Sequence, residues 1–138
     1  FGEDGFGNSI SENLTTIGEH ETAHVETLTA VITDLGGEPV EAAEYDFGVT
    51  DAGSFLATAA ALENVGVQAY DGAAASIESV DLLLAAGGIV AVEARHASYL
   101  NLLNGEIPFP AAFETPMTPD EVLEIAGQFI VTEATPEA

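Results

Sequence analysis

Two acid–imidazole pairs stand out in the sequence, because each lies within an otherwise apolar stripe. Glu21 is followed three residues later by His24, and Glu93 is followed in the same way by His96. Residues three apart share one face of an α-helix, so each pair can present a carboxylate and an imidazole together. A carboxylate in a dry interior is costly unless something compensates its charge. A metal ion is the simplest compensation, so both pairs are candidate metal ligands.

The stripes around these pairs alternate steps of four and three, which is the spacing of an amphipathic helix. The first stripe consists of Ile10, Leu14, Ile17, Glu21, His24, Leu28, Val31 and Leu35. The second consists of Leu82, Ala86, Ile89, Glu93, His96, Leu100 and Leu103. A third stripe has a single charged residue, Glu63, among Leu56, Ala59, Gly66 and Tyr70. Three helices are therefore expected to direct acid groups into one interior, with Glu21, His24, Glu63, Glu93 and His96 as candidate metal ligands.

Start and stop signals give an all-α chain with three long helices and one short helix. Capping residues and glycines predict helices over about 9–35, 51–71 and 79–103, and a short helix over about 119–131. Residues 36–51 have no helical period and are too many for a tight turn, which predicts a long crossover between the first two helices. The length predicts a single domain over residues 1–138.

The short connection between the second and third helices provides a geometric test of the site. Helices joined by a short turn run antiparallel, so residues at equal height are mirrored about the turn. Residue 78 lies halfway between Glu63 and Glu93 and falls inside the connection over residues 72–79. The two carboxylates are therefore expected at similar depth.

Composition restricts both the metal and the partners. Cysteine is absent, so the ligands must be His, Asp or Glu, which suit iron, manganese or zinc. The chain has 24 acidic residues against one basic residue, Arg95, and a formal net charge of −23. Such a chain cannot neutralise nucleic-acid phosphates, and no apolar run is long enough for membrane insertion.

The excess of acid also indicates an environment. Self-repulsion at this charge destabilises a compact state in dilute buffer, and concentrated salt screens it. We therefore expect a protein from a high-salt organism, exported or at the cell surface, with a cytoplasmic location as the alternative. Arg95 is expected on the surface of the third long helix.

These residues resemble the ferritin-like superfamily over about residues 9–104. In that superfamily two helices each give one Glu and two each give Glu-x-x-His to a carboxylate-bridged two-metal site. Residues 109–113 and the short last helix are similar to the subgroup called ferritin-like domain proteins, which are often exported. The resemblance implies a four-helix bundle that holds two iron ions, or manganese instead. It also implies that Glu21 and Glu93 bridge the metals while Glu63, His24 and His96 are terminal ligands.

One part of the family pattern has no counterpart in this sequence, namely the first bundle helix with its Glu. An upstream segment could supply that helix, a partner chain could supply it, or it could be lost, leaving one metal or none. A site without metal, in which buried acids and imidazoles pair by hydrogen bonds, is the corresponding alternative.

Two functions follow from these alternatives. The first is a two-metal protein for oxygen, peroxide or ferrous-iron chemistry. The second is a non-catalytic assembly subunit whose apolar groove accepts a helix from a partner or from its own upstream segment. The corresponding expectation for partners is a homo-oligomer or a partner helix that completes the bundle.

Overall fold

A computed structural model describes residues 1–131, and these form four α-helices and one 3₁₀ turn. Within this described part there is no β-strand, only two isolated bridges. The predicted all-α class is therefore confirmed. The helices are α1 (Ile10–Asp34), α2 (Ala52–Ala74), α3 (Val80–Leu103) and α4 (Pro119–Ala126), and the 3₁₀ turn is Gly127–Phe129.

The predicted boundaries differ from the observed ones mainly at two places. Helix α2 continues three residues beyond the expected end at Asp71, because Gly72 stays within the helix and Ala73 and Ala74 favour helix. The last helix ends at Ala126, where the chain tightens into the 3₁₀ turn. None of the helices described in residues 1–131 is both long and apolar enough to cross a membrane.

The chain divides into two compact units, Phe1–Ala42 and a second unit that begins at Ala43. The first contains α1, and the second contains α2, α3 and α4. The single domain expected over residues 1–138 stays a prediction.

Helix α1 begins and ends with local hydrogen bonds. The Ser9 hydroxyl accepts from the backbone N–H of Glu12 (3.3 Å), so the predicted N-cap is formed. At the other end, Gly36 adopts a φ of +80°, which glycine tolerates without strain. The N–H of Gly37 donates to the carbonyl of Ile32 (2.9 Å), and that of Gly36 donates to Thr33 (2.9 Å). This pair of bonds is a Schellman motif, and it fixes the end of the helix.

The second unit is built on the antiparallel pair of α2 and α3. Asp51 caps α2 in a reciprocal box with Ser54, and Ser79 caps α3. The Asn104 side chain donates to the carbonyl of Leu56 (3.0 Å), joining the C-cap residue of α3 to the N-terminal part of α2. The buried apolar core of the unit consists of Ala60, Val65, Val67, Ile89, Ala97 and Leu100.

The segment before α4 crosses α2 at a glycine. A Cβ on Gly72 would collide with the carbonyl of Met117, so only glycine admits this close approach. One turn earlier, the N–H of Met117 donates to the carbonyl of Gln68 (3.0 Å). Thr118 and Glu121 then form the predicted capping box of α4.

The end of the predicted crossover is ordered by the C-terminal segment. The N–H of Asp46 donates to the carbonyl of Phe129 (2.8 Å), and the N–H of Val131 donates to the carbonyl of Glu44 (2.9 Å). The rings of Tyr45 and Phe47 stack with centroids 5.7 Å apart, and Phe47 also contacts Phe129. Residues 35–51 contain no helix, in agreement with the sequence, but their last part belongs to a small aromatic cluster.

Candidate metal centre

Helix α2 contributes one carboxylate to the interior of the second unit. Glu63 is buried on the stripe of α2 that the sequence identified, one turn from the buried Ala60 and Val67. Those apolar neighbours face α3, so helical periodicity brings Glu63 to the same interface.

Helix α3 contributes a carboxylate and an imidazole one turn apart. Glu93 is only 5% exposed and His96 only 6% exposed. They lie between the buried Ile89 and Leu100 on the predicted stripe, so the pair is flanked along the helix by apolar side chains that are also shielded from water.

The three side chains of the second unit converge. Glu63, Glu93 and His96 each offer a ligand atom, and these atoms lie within 4.8 Å of one another. The Oε2 atom of Glu63 lies 3.4 Å from Nδ1 of His96. Metal–oxygen and metal–nitrogen bonds are about 2.0–2.2 Å long, so one cation can reach donors spaced in this way. The group can therefore hold a metal ion.

The charge balance of this group favours a bound cation. Two buried carboxylates face one imidazole, which carries at most one positive charge. The chain has a single Lys or Arg side chain, Arg95, and that residue is exposed, as the sequence predicted. A Lys or Arg side chain therefore does not compensate the acids, whereas a divalent ion bound through oxygen and nitrogen would. The donor set thus fits a divalent metal ion.

A glycine leaves space beside the cluster. A Cβ on Gly66 would lie 3.5 Å from Oε2 of Glu93, which is an ordinary van der Waals distance. The absence of a longer side chain at this position keeps one side of the Glu93 carboxylate uncrowded. Sequence reasoning placed Gly66 on the stripe of Glu63 but assigned it no role in the site.

An amide pair beside the acids was missed by sequence reasoning. The Asn64 side chain donates to Oδ1 of Asn101 (2.9 Å) and to the carbonyl of Ala60 (2.7 Å). Because the pair joins α2 to α3, it fixes the height at which Glu63 meets His96. The available signal was Asn101 itself, a polar residue between leucines near the end of an apolar helix.

The other predicted pair lies in the first unit. Oε1 of Glu21 is 3.5 Å from Nδ1 of His24, so the two side chains meet one turn apart on α1. The His24 side chain is 15% exposed and the Glu21 side chain is 42% exposed, so this pair is the partly open counterpart of the buried pair on α3. All five predicted residues thus occupy helical positions that pair an acid with an imidazole, and their roles as metal ligands stay a prediction.

Comparison with known proteins places the chain in a family. No curated protein sequence matches the chain significantly. The ferritin-like domain family matches residues 1–106, which includes all three long helices and the five candidate ligands. The match extends over most of the chain and agrees with the arrangement of Glu63, Glu93 and His96 described above. The chain therefore belongs to the ferritin-like domain family.

Proposed function

We propose that this chain holds a carboxylate-bridged pair of metal ions, with iron first and manganese as the alternative, for oxygen, peroxide or ferrous-iron chemistry. The observation that carries the proposal is the burial of Glu63, Glu93 and His96 together, in a chain whose one Lys or Arg side chain is exposed. Bound iron of this kind supplies one-electron chemistry with oxygen or peroxide.

In this proposal the first unit completes the ligand set. Glu21 and His24 have the same spacing on α1 that Glu93 and His96 have on α3, and membership of the family supports joining the two pairs. Glu21, His24, Glu63, Glu93 and His96 are the residues that would hold the two ions. A carboxylate from an upstream helix or a partner chain would complete the family pattern.

The residues of the second unit prepare the site in three ways. Burial against Ile89 and Leu100 keeps water from competing with the ligands. The amide pair of Asn64 and Asn101 holds the two helices in register. Gly66 leaves room at one side of the Glu93 carboxylate for a small reactant.

Metal binding by these side chains is coupled to their protonation. Nδ1 of His96 and Oε2 of Glu63 lie 3.4 Å apart, and each atom must give up any proton it carries before it can bind metal. Metal uptake should therefore release protons to the solvent, which can be measured with a pH indicator in weakly buffered solution.

Metal analysis of the purified protein tests the proposal. We expect about two iron or manganese ions per chain after loading under anaerobic conditions in concentrated salt. Glu93→Ala should lose the metal, since it removes a carboxylate of the buried cluster. Glu26→Ala is the matched control, because Glu26 is an exposed acid on α1 and should leave the metal content unchanged. An unchanged metal content in Glu93→Ala would refute the assignment.

A second candidate function is a non-catalytic assembly subunit. Helix α1 and its C-cap residue expose a row of apolar side chains at steps of three and four, namely Val25, Leu28, Ile32 and Leu35. Such a row fits the apolar face of another helix. Negligible metal together with stable oligomers would favour this function over the first.

The charge of the chain supports a proposal about its environment. A net charge of −23 with one basic side chain suits a high-salt organism, and export or surface location suits the same composition. Unfolding measured across a salt series tests the first part, since screening should raise the midpoint steadily as salt increases.

A further inference from the structure

The outer side of α3 carries a second stripe that the metal centre does not use. Two residues along a helix correspond to a rotation of about 200°, so positions 91 and 95 face away from Glu93. From Asp81 to Arg95 the stripe steps by three and four through exposed positions, and the exposed Leu102 lies two turns further along. We call it the outer stripe, and its members are Asp81, Leu84, Gly88, Ala91, Arg95 and Leu102.

The composition of the outer stripe is unusual for this chain. Leu84 is 70% exposed, and Val80 beside it is 68% exposed. With buried residues on its inner side and exposed leucines on its outer side, α3 is apolar nearly all round, which is typical of a helix covered on both sides. The stripe also holds Arg95, the chain's one basic side chain, and only one of its 24 acids.

Two adjacent glycines lie at the middle of this exposed surface. A Cβ on Gly87 or Gly88 would meet nothing within 4 Å, so the space beside both is open. Each glycine destabilises a helix interior by about 1 kcal/mol relative to alanine. Neither glycine has a side chain, and the residue one turn further on is the small Ala91. Another helix backbone can therefore come close at this point.

The positions of the two charged residues on the outer stripe suit contact with a second copy of the same helix. Asp81 lies seven residues before Gly88 and Arg95 lies seven residues after it. If two copies of α3 cross antiparallel about a twofold axis at Gly88, each Arg95 faces the Asp81 of the other copy, about 10 Å along the helix from the axis. Within residues 1–131 Arg95 forms no ion pair, so it is available for this contact.

The same antiparallel arrangement would also cover an exposed apolar side chain, that of Val80. Ala94, Ser98, Tyr99, Leu102 and Pro108 join Arg95 around an open groove of about 500 Å³. Val80 lies eight residues before Gly88, so in an antiparallel pair it comes level with residue 96 of the other copy. That position is beside the groove, where the exposed Val80 can be covered.

We propose that the outer stripe of α3 is a homodimer interface. Two copies pack antiparallel with Gly88 at the twofold axis, and two Arg95–Asp81 ion pairs fix the register. A second copy is the occupant that the charges favour, because it brings the matching Asp81 at the height that Arg95 requires. This inference is independent of whether the protein binds metal.

Charge exchange tests the register. Sedimentation equilibrium should show a dimer in the lowest salt concentration that keeps the chain folded, because excess salt screens the ion pairs. Arg95→Asp and Asp81→Arg should each weaken the dimer about 10- to 100-fold. The double variant that exchanges both charges should return the dissociation constant to within about threefold of the starting value.

Several results would overturn the proposal. The first is a wild-type chain that stays monomeric, because this surface would then need some other partner. The others are single variants that dimerise as tightly as the wild type, or an exchanged double variant that stays as weak as the single variants.

Oxidative cross-linking tests the position of the axis without depending on charge. The chain has no cysteine, so introduced thiols react without background. Gly88→Cys should form a covalent dimer with itself, since residue 88 of each copy lies at the axis. Gly18→Cys on α1 is the matched control, because a Cβ there also meets nothing within 4 Å, and it should stay monomeric.

Mixing two cysteine variants tests the register of the two helices in a way that a disrupted fold cannot imitate. Asp81→Cys and Arg95→Cys should each cross-link poorly alone and efficiently when mixed, provided that circular dichroism shows intact helices. Efficient self-linking of either variant, or of Gly18→Cys in preference to Gly88→Cys, would show that the copies meet elsewhere.

Discussion

The same four-residue motif occurs on α1 and on α3, and its two copies have different surroundings. Glu93 and His96 on α3 are 5% and 6% exposed, whereas the side chains of Glu21 and His24 on α1 are 42% and 15% exposed. In the second unit, α2 brings Glu63 to within 3.4 Å of His96. Helical spacing thus aligns an acid with an imidazole in both places, but the pair on α3 is much more buried than the pair on α1.

The contrast extends to the whole of the two helices. Helix α1 has no buried residue, while α3 has six, among them Leu100. Because buried apolar contacts supply most of the stability of a helix in a protein, α1 should open more readily than the α2–α3 pair. Matched changes in the two regions should therefore have unequal effects.

The largest difference is expected in metal content. Glu93→Ala should reduce bound metal to near zero, because Glu93 belongs to the buried cluster of the second unit. Glu21→Ala should leave roughly one ion per chain, since Glu63, Glu93 and His96 can still bind one cation. Mass spectrometry of metals after removal of excess ions measures both. Equal loss of metal in the two variants would show that Glu93 contributes no more to metal binding than Glu21 does.

A matched pair of leucines should separate the two helices in stability. Leu100→Ala should lower the free energy of unfolding by about 2–5 kcal/mol, because Leu100 is only 1% exposed and its loss leaves a cavity. Leu28→Ala on α1 should cost about 0.5 kcal/mol, since that side chain is 41% exposed. Denaturant titration in concentrated salt measures both. Similar costs would mean that α1 is covered in solution by another helix.

A pair of glycines tests close packing against an open surface. Gly72→Ala should destabilise the second unit by about 1–3 kcal/mol, because the added methyl collides with the Met117 backbone. Gly18→Ala on α1 should stabilise by up to about 1 kcal/mol, since nothing lies near its Cβ and alanine favours helix. The same titration measures both, and a stabilising Gly72→Ala would show that the segment before α4 is displaced in solution.

The smallest effect concerns the caps of α1 and α2. Hydrogen bonds from the backbone and hydroxyl of Ser54 lower the pKa of Asp51 below its usual value of 3.8, whereas Ser9 caps α1 without a charge. A lowered pKa in the folded state stabilises the fold above about pH 4 and ceases to do so as pH falls through that lower value. The cost of Asp51→Asn should therefore shrink as the pH falls below about 4, while that of Ser9→Ala stays constant, as followed by circular dichroism.

Periodicity explains why most of the helices were predictable. Steps of three and four identified the stripes of α2 and α3, and the mirrored positions of Glu63 and Glu93 followed from the short connection between the helices. The stripe of α1 was equally regular, yet Leu28 and Leu35 on it are exposed. An apolar face shows which side of a helix favours burial, but nothing in its own residues specifies what covers it.

Contacts between distant segments were not predictable for a different reason. The hydrogen bonds of Asp46 and Glu44 with residues 129 and 131 involve backbone groups, which every sequence provides. In the sequence, Asn64 and Asn101 only interrupt an apolar pattern. Their hydrogen bond becomes apparent only when both helices are in place. Such contacts depend on tertiary geometry, so local spacing gives no sign of them.

The backbone links of Glu44 and Asp46 to residues 129 and 131 have a practical consequence for protein engineering. A version shortened after Leu103 would keep the long helices, but it would remove the hydrogen-bond partners of those two positions and uncover Phe47 further. Anyone who trims this protein from its carboxyl end, or fuses another domain there, should keep the chain intact through Val131.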